Sequence, residues 1–95
     1  MVTIQDAKNY LGIDYADEMV ESNLARMIKS ADAYLRGSIG ENYPDDDPRA
    51  VELALIIIAD LYDNRELSDK VSGNVRRFVN DASFQLRMEL KEANL

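Results

Sequence analysis

The residues here that could hold a cation or move a proton are carboxylates in two places: the run Asp45-Asp46-Asp47, and Asp60 with the string Tyr62-Asp63-Asn64-Arg65-Glu66. A carboxylate triplet suits a hard cation, but calcium sites alternate their ligands with spacers and add a distal bidentate acid, and this run does neither. A solvated loop whose last Asp caps a helix is the plainer reading. An acid and base pair needs an apolar setting that drives two carboxyl pKa values apart, and nothing around Asp60, Asp63 or Glu66 supplies one. With no Cys and no His, the chain lacks a thiolate nucleophile, a disulfide framework, a cysteine metal site and the usual neutral-pH acid/base. No catalytic residue, cofactor site or metal site is assigned.

A chain of 95 residues favours one domain with a small core, and 46% hydrophobic against 31% charged residues is a globular composition. The opening Met1-Val2-Thr3-Ile4 has no basic region followed by an apolar run, and no stretch nears the ~20 apolar residues that span a bilayer. No membrane is expected, and the cytosol is the expected compartment. Net charge is −7 and unevenly spread: residues 1 to 72 hold 15 acids against 7 bases, and residues 73 to 95 hold 3 against 4. Free nucleic acid is therefore a poor partner for the first part.

Four helical segments account for the chain, so the expected fold is a small all-α bundle over 1–95, with a short N-terminal helix, two long core helices and a C-terminal helix over 73–95. In the first, Thr3 can cap, Asp6 lies three residues on, Ile4, Ala7 and Leu11 share a face, and Gly12 suits a left-handed stop. The second is expected from near Asp14 to Arg36, before Gly37, with Ala16, Val20, Leu24, Met27, Ile28, Ala31, Tyr34 and Leu35 facing the core. The third opens on Asp47 as cap and Pro48 at the first helical position. Its run from Leu53 to Ala59 is apolar enough for a buried strand, but the spacing of Ala50, Ala54, Ile57, Ile58 and Leu61 fits a helix. Arg65, near its end, can bond free carbonyls or pair with Asp32, Asp60 or Asp63, and Tyr62 can seat its ring in the core. The fourth is expected to be capped by Asn74, with Val75, Phe78, Val79, Ala82, Leu86, Leu90 and Ala93 toward the core.

Two apolar features are off those stripes. Ile56 falls among Glu52, Asp60 and Asp63 on the third helix, so it is either a lone exposed residue or covered by another subunit. Phe84, Met88 and Leu95 project from the far side of the fourth helix, giving it a second apolar strip, which reads as a partner surface or as loosely exposed last turns. Arg76 and Arg77 are too few for a nucleic-acid footprint and stand where a helix dipole does not favour cations, so an acidic neighbour is the expected company.

The short helix with Lys8 and Leu11 in a K-x-x-L spacing, the Ile13-Asp14 turn, the long helix ending Ala31-Asp32-Ala33-Tyr34-Leu35, and Pro48 followed by Ala54 to Glu66 with Tyr62, Asn64, Arg65 and Glu66 as Y-x-N-R-E resemble the phage head-tail connector family. The resemblance covers roughly residues 3 to 66. It implies an all-helical adaptor in the virion, assembled in the host cytoplasm as a ring of about a dozen copies under the portal vertex, with the portal protein and the next connector or tail-completion protein as partners. On that reading DNA passes without specific binding, Asp45, Asp46 and Asp47 are candidates to line the channel, and Ile56, Phe84, Met88 and Leu95 are candidates for subunit or partner contacts. A different class of function fits the same composition: a small acidic regulatory binder, of the antirepressor or DNA-mimic type, occupying a basic groove.

Overall fold

The structure is a computed structural model that describes residues 1–67 and 70–93, the side chain of Ala93 excepted. Leu95, one of the candidate contact residues, and the Ala93 side chain lie outside the described residues. Helices α1 (Ile4–Leu11), α2 (Glu18–Ser38), α3 (Pro48–Asp63) and α4 (Gly73–Ala93) make up the fold, and no strand occurs among the described residues. The protein is an all-α bundle.

α1 begins with a reciprocal capping box: the Thr3 hydroxyl accepts from the Asp6 N–H and the Asp6 carboxylate accepts from the Thr3 N–H, both at 3.0 Å. It ends at Gly12, whose φ of 76° is the left-handed stop that a side chain would strain. The next amide, Ile13, donates to the Lys8 carbonyl at 2.9 Å, and Ile13 is buried, so the chain is committed to a turn before α2 can begin. That is why α2 starts at Glu18 rather than near Asp14. Asp17 caps it, one carboxylate oxygen accepting from the Met19 and Val20 amides at 2.9 and 3.1 Å. Ala16 accordingly sits exposed ahead of the helix and not on its core stripe.

The far end of α2 also differs from expectation. Gly37 lies inside the helix, which runs to Ser38, and the Ile39 amide still bonds to the Leu35 carbonyl at 2.8 Å. Ile39 is 4% exposed, and continuing the helix past the glycine is what delivers it to the core. Gly40, at φ 150°, makes the turn instead.

α3 starts where Asp47 and Pro48 place it, with the Asp47 carboxylate accepting from the Arg49 N–H at 2.8 Å. Ala50, Leu53, Ala54, Ile57, Ile58 and Leu61 are buried, which settles the strand alternative in favour of helix. α2 and α3 form the main pair, α1 lies across both, and α4 packs against both along another side. One apolar cluster, with Leu24, Leu35, Ile57, Ile58 and Val79 at its most enclosed points, draws on all of these elements.

α4 begins at Gly73, so Asn74 is inside its first turn and Ser72 precedes it. Val79, Ser83 and Leu86 are buried and Val75, Ala82 and Leu90 are half-buried against the core. Phe78 is not part of this stripe. At 100° per residue it lies a quarter turn or more from Val79, and it is 56% exposed. The radius of gyration, 13.6 Å, exceeds the roughly 12 Å of a compact chain of this length, and the extents are 46 × 25 × 19 Å. The molecule is long for its mass.

Ser83 is the buried side chain the sequence pattern did not expect. Its hydroxyl is the one buried side-chain polar atom among the described residues with no hydrogen-bond partner. Because an unmade buried bond costs about 1–3 kcal/mol and alanine is the better helix former, Ser83→Ala is expected to stabilise the protein by about 1 kcal/mol in urea unfolding. A loss of stability would mean that the hydroxyl has a partner in solution.

Candidate assembly surface

At the end of α3, Asn64 and Arg65 close the helix and Asp60 ties it to the residue before α4, while Asp63 is exposed. The Asp60 carboxylate accepts from the Ser72 amide and the Ser72 hydroxyl, both at 2.8 Å, and from Asn64 Nδ2 at 3.2 Å. Asn64 Nδ2 also donates to the Asp60 carbonyl at 2.9 Å and so closes the helix end. Arg65 donates to the Tyr62 carbonyl at 2.5 Å and lies 4.2 Å from the centre of the Tyr62 ring, which packs half-buried on the core. Of the partners open to Arg65, the free carbonyl is the one it takes, and Asp60 is given to Ser72. Glu66 is exposed. At the other end, Lys8 is only 8% exposed and Leu11 packs half-buried on the core. Each of these residues except Asp63 and Glu66 has a job in holding helices and their ends.

The acidic triplet is divided in the same way. Asp47 caps α3 and pairs with Arg49 at 3.3 Å, and Arg49 in turn bonds Glu89 on α4. Asp45 stands 3.7 Å from the Met1 amino group, and Asp46 is exposed. The three carboxylates do not converge, and no group of three acids able to hold a metal exists among the described residues. They also cannot be neutralised together as a neutral test of channel lining, since Asp47→Ala removes a cap and is expected to cost about 1 kcal/mol in thermal or urea unfolding. Asp45 and Asp46 are the pair to change for that purpose.

The loop before α3 is held by contacts far apart in sequence. Asp32 on α2 accepts from the Tyr43 hydroxyl at 2.5 Å and from Arg36 Nε at 2.8 Å, and Arg36 Nη1 reaches the Glu41 carbonyl at 3.2 Å. Burial pushes the Asp32 pKa up, but the bonds from Tyr43 and Arg36 outweigh it and hold the group below the usual carboxylate value. The same contact, with burial first, drives the Tyr43 pKa well up. A carboxylate whose folded pKa is depressed contributes stability above its unfolded value, here 3.8, and loses it as pH falls through the folded value. The stability difference between the protein and Asp32→Asn is therefore expected to be full at pH 7 and to shrink below about pH 4. A difference unchanged down to pH 2 would contradict this.

The exposed apolar residues form the other candidate site. Phe84 and Met88 on α4 are 54% and 43% exposed and point away from the core stripe. The Arg87 guanidinium lies 5.5 Å from the Phe84 ring centre. Ile56 behaves differently: it is half-buried and packs against the core of its own subunit, so its place among acidic neighbours leaves less surface to offer than the sequence implied. Tyr15 and Met19, 52% and 75% exposed near the start of α2, fall off the core stripe expected for that helix and are not singled out by the sequence pattern. A groove of about 420 Å³ runs between α3 and α4, lined by Leu53, Ala82 and Leu86 with Arg49, Glu52 and Glu89 among its other walls.

The fold is an all-α bundle that leaves Phe84 and Met88 exposed on its last helix. No family model, no curated protein and no solved structure matches the chain. No helix among the described residues is long and apolar enough to cross a membrane.

Proposed function

We propose that this protein is a structural subunit of a phage or prophage head-tail junction, a connector that closes into a ring beneath the portal vertex, extends the DNA channel and completes the head for the tail. The observation that carries the reading is the second apolar strip of α4, Phe84 and Met88, exposed on a helix whose opposite side already serves the core. A subunit that satisfies its core with one side of a helix and leaves large apolar side chains on the other has a surface suited to association. The resemblance in residues 3 to 66 supplies the particular assembly, and the use of Tyr62, Asn64 and Arg65 to close α3 agrees with a part that builds rather than reacts. Its partners are further copies of itself, the portal protein and the next connector or tail-completion protein, in the virion and, during assembly, in the host cytoplasm.

Negative-stain electron microscopy of the concentrated protein tests this. Annular particles of one diameter with an open centre are expected. A field of small particles without annuli at every concentration tried would count against the reading.

A further inference from the structure

We infer that a second copy of this chain docks head to tail, the α4 strip of Phe84, Arg87, Met88 and Lys91 on one copy meeting the α2 entry patch of Asp14, Tyr15, Glu18 and Met19 on the next. This rests on the assembly reading above and assigns its surface.

At 100° per residue Phe84, Arg87, Met88 and Lys91 fall within an arc of about 100°, and no acid stands inside it. All are exposed, and Lys91 makes no ion pair among the described residues. The α2 entry carries the opposite charge beside similar apolar residues: Tyr15 and Met19 are exposed, and Asp14 and Glu18, next to them in sequence, are exposed and make no ion pair among the described residues. Each surface offers one aromatic residue, one methionine and two like charges. Asp17, between the two acids, is occupied by capping α2.

The two surfaces cannot meet within one subunit. The Tyr34 hydroxyl donates to Asn80 Oδ1 at 3.0 Å, and a pocket lined by Gly37 and Ser38 with Asn80, Phe84, Arg87 and, at the border of the strip, Asp81 places the strip beside the last turns of α2. From Glu18 to Tyr34 is 16 helical steps, a separation of about 24 Å along the axis. Two strips facing each other would set Arg87 and Lys91 against the same cations of the partner, whereas strip on patch pairs unlike charges. Unlike faces at two ends of an elongated subunit give a heterologous contact, the type that closes into rings when its rotation allows.

The test is sedimentation velocity on the intact chain and two charge-reversed variants, R87E/K91E and D14K/E18K, over a concentration series, with circular dichroism to check that each retains its helices. The wild type is expected to self-associate and to do so more weakly at high salt, a dependence that needs no variant. Each variant alone is expected to associate at least about tenfold more weakly, and an equimolar mixture of the two to recover association, because every contact in an alternating assembly is again between unlike charges. If the wild type and both variants assemble equally, the surface assignment is overturned and the ring reading stands. If the wild type stays monomeric throughout, both are overturned. Association that is indifferent to salt would also overturn the pairing.

Discussion

Replacing Ile57 with alanine is expected to remove about 4 kcal/mol of stability, the upper part of the range for a fully enclosed isoleucine. Ile57 has no exposed surface, lies at the centre of the cluster shared by the four helices, and has Ile58 beside it equally enclosed. Neighbours held on several sides cannot collapse into the space left behind, so the cavity cost adds to the lost transfer energy. A domain of this size has roughly 5–14 kcal/mol in total, and a loss of this magnitude would lower the melting temperature by about 15–30 °C. Urea and thermal unfolding measure it directly. A cost below about 1 kcal/mol would show that the α2 and α3 pair is not packed as described.

Replacing Asp60 with alanine is expected to cost about 2–3 kcal/mol and to loosen the start of α4 in particular. Its half-buried carboxylate receives the Ser72 amide, the Ser72 hydroxyl and Asn64 Nδ2, tying the end of α3 to the residue before α4. Without it a backbone N–H loses its acceptor, and the hold that remains on the first turns of α4 is the packing of Val75 and Val79, the bond from Arg76 to the Val71 carbonyl and the bond from Tyr34 to Asn80. Hydrogen exchange should show faster exchange of the amides from about residue 76 to residue 80 than at the centre of α3. Ser72→Ala alone should cost less, since the Ser72 amide still bonds Asp60, and the two changes together should fall short of the sum. Unchanged protection at the start of α4 would show that apolar contacts alone hold the helix.

The elements were legible because each has a one-sided apolar repeat and most have chemically distinctive starts. Thr3 with Asp6, Gly12, and Asp47 with Pro48 all act in the structure as their types imply. The misplacements have local causes. Asp14 and Asp17 are equally able to cap, and what chooses between them is the bond from Ile13 to Lys8, a contact across a turn. Gly37 looked like a stop because its type allows one, but the pull of Ile39 into the core carries α2 past it. The spacing of Phe78 from Val75 and Ala82 suits an inward place, but it stands at the edge of the stripe and is exposed.

The polar contacts were much less readable. Asp60 with Ser72, Tyr43 with Asp32 and Arg49 with Glu89 join residues 12, 11 and 40 positions apart, and which acid meets which donor depends on how helices cross. The candidate surface divides along the same line. Phe84 and Met88 could be read from periodicity alone, because α4 has more apolar residues than one stripe can hold. Tyr15 and Met19 could not, because the start of α2 is set by the turn at Ile13, which leaves Tyr15 outside the helix.

Native mass spectrometry of the unmodified protein over a concentration series tests the central claim most directly. One dominant high-mass species of a fixed number of copies, about a dozen, is expected, with few intermediates between it and the monomer, because a heterologous contact gains most when the ring closes. Monomer or dimer alone up to the highest concentration would contradict it, and would favour an acidic binding protein acting on a basic partner.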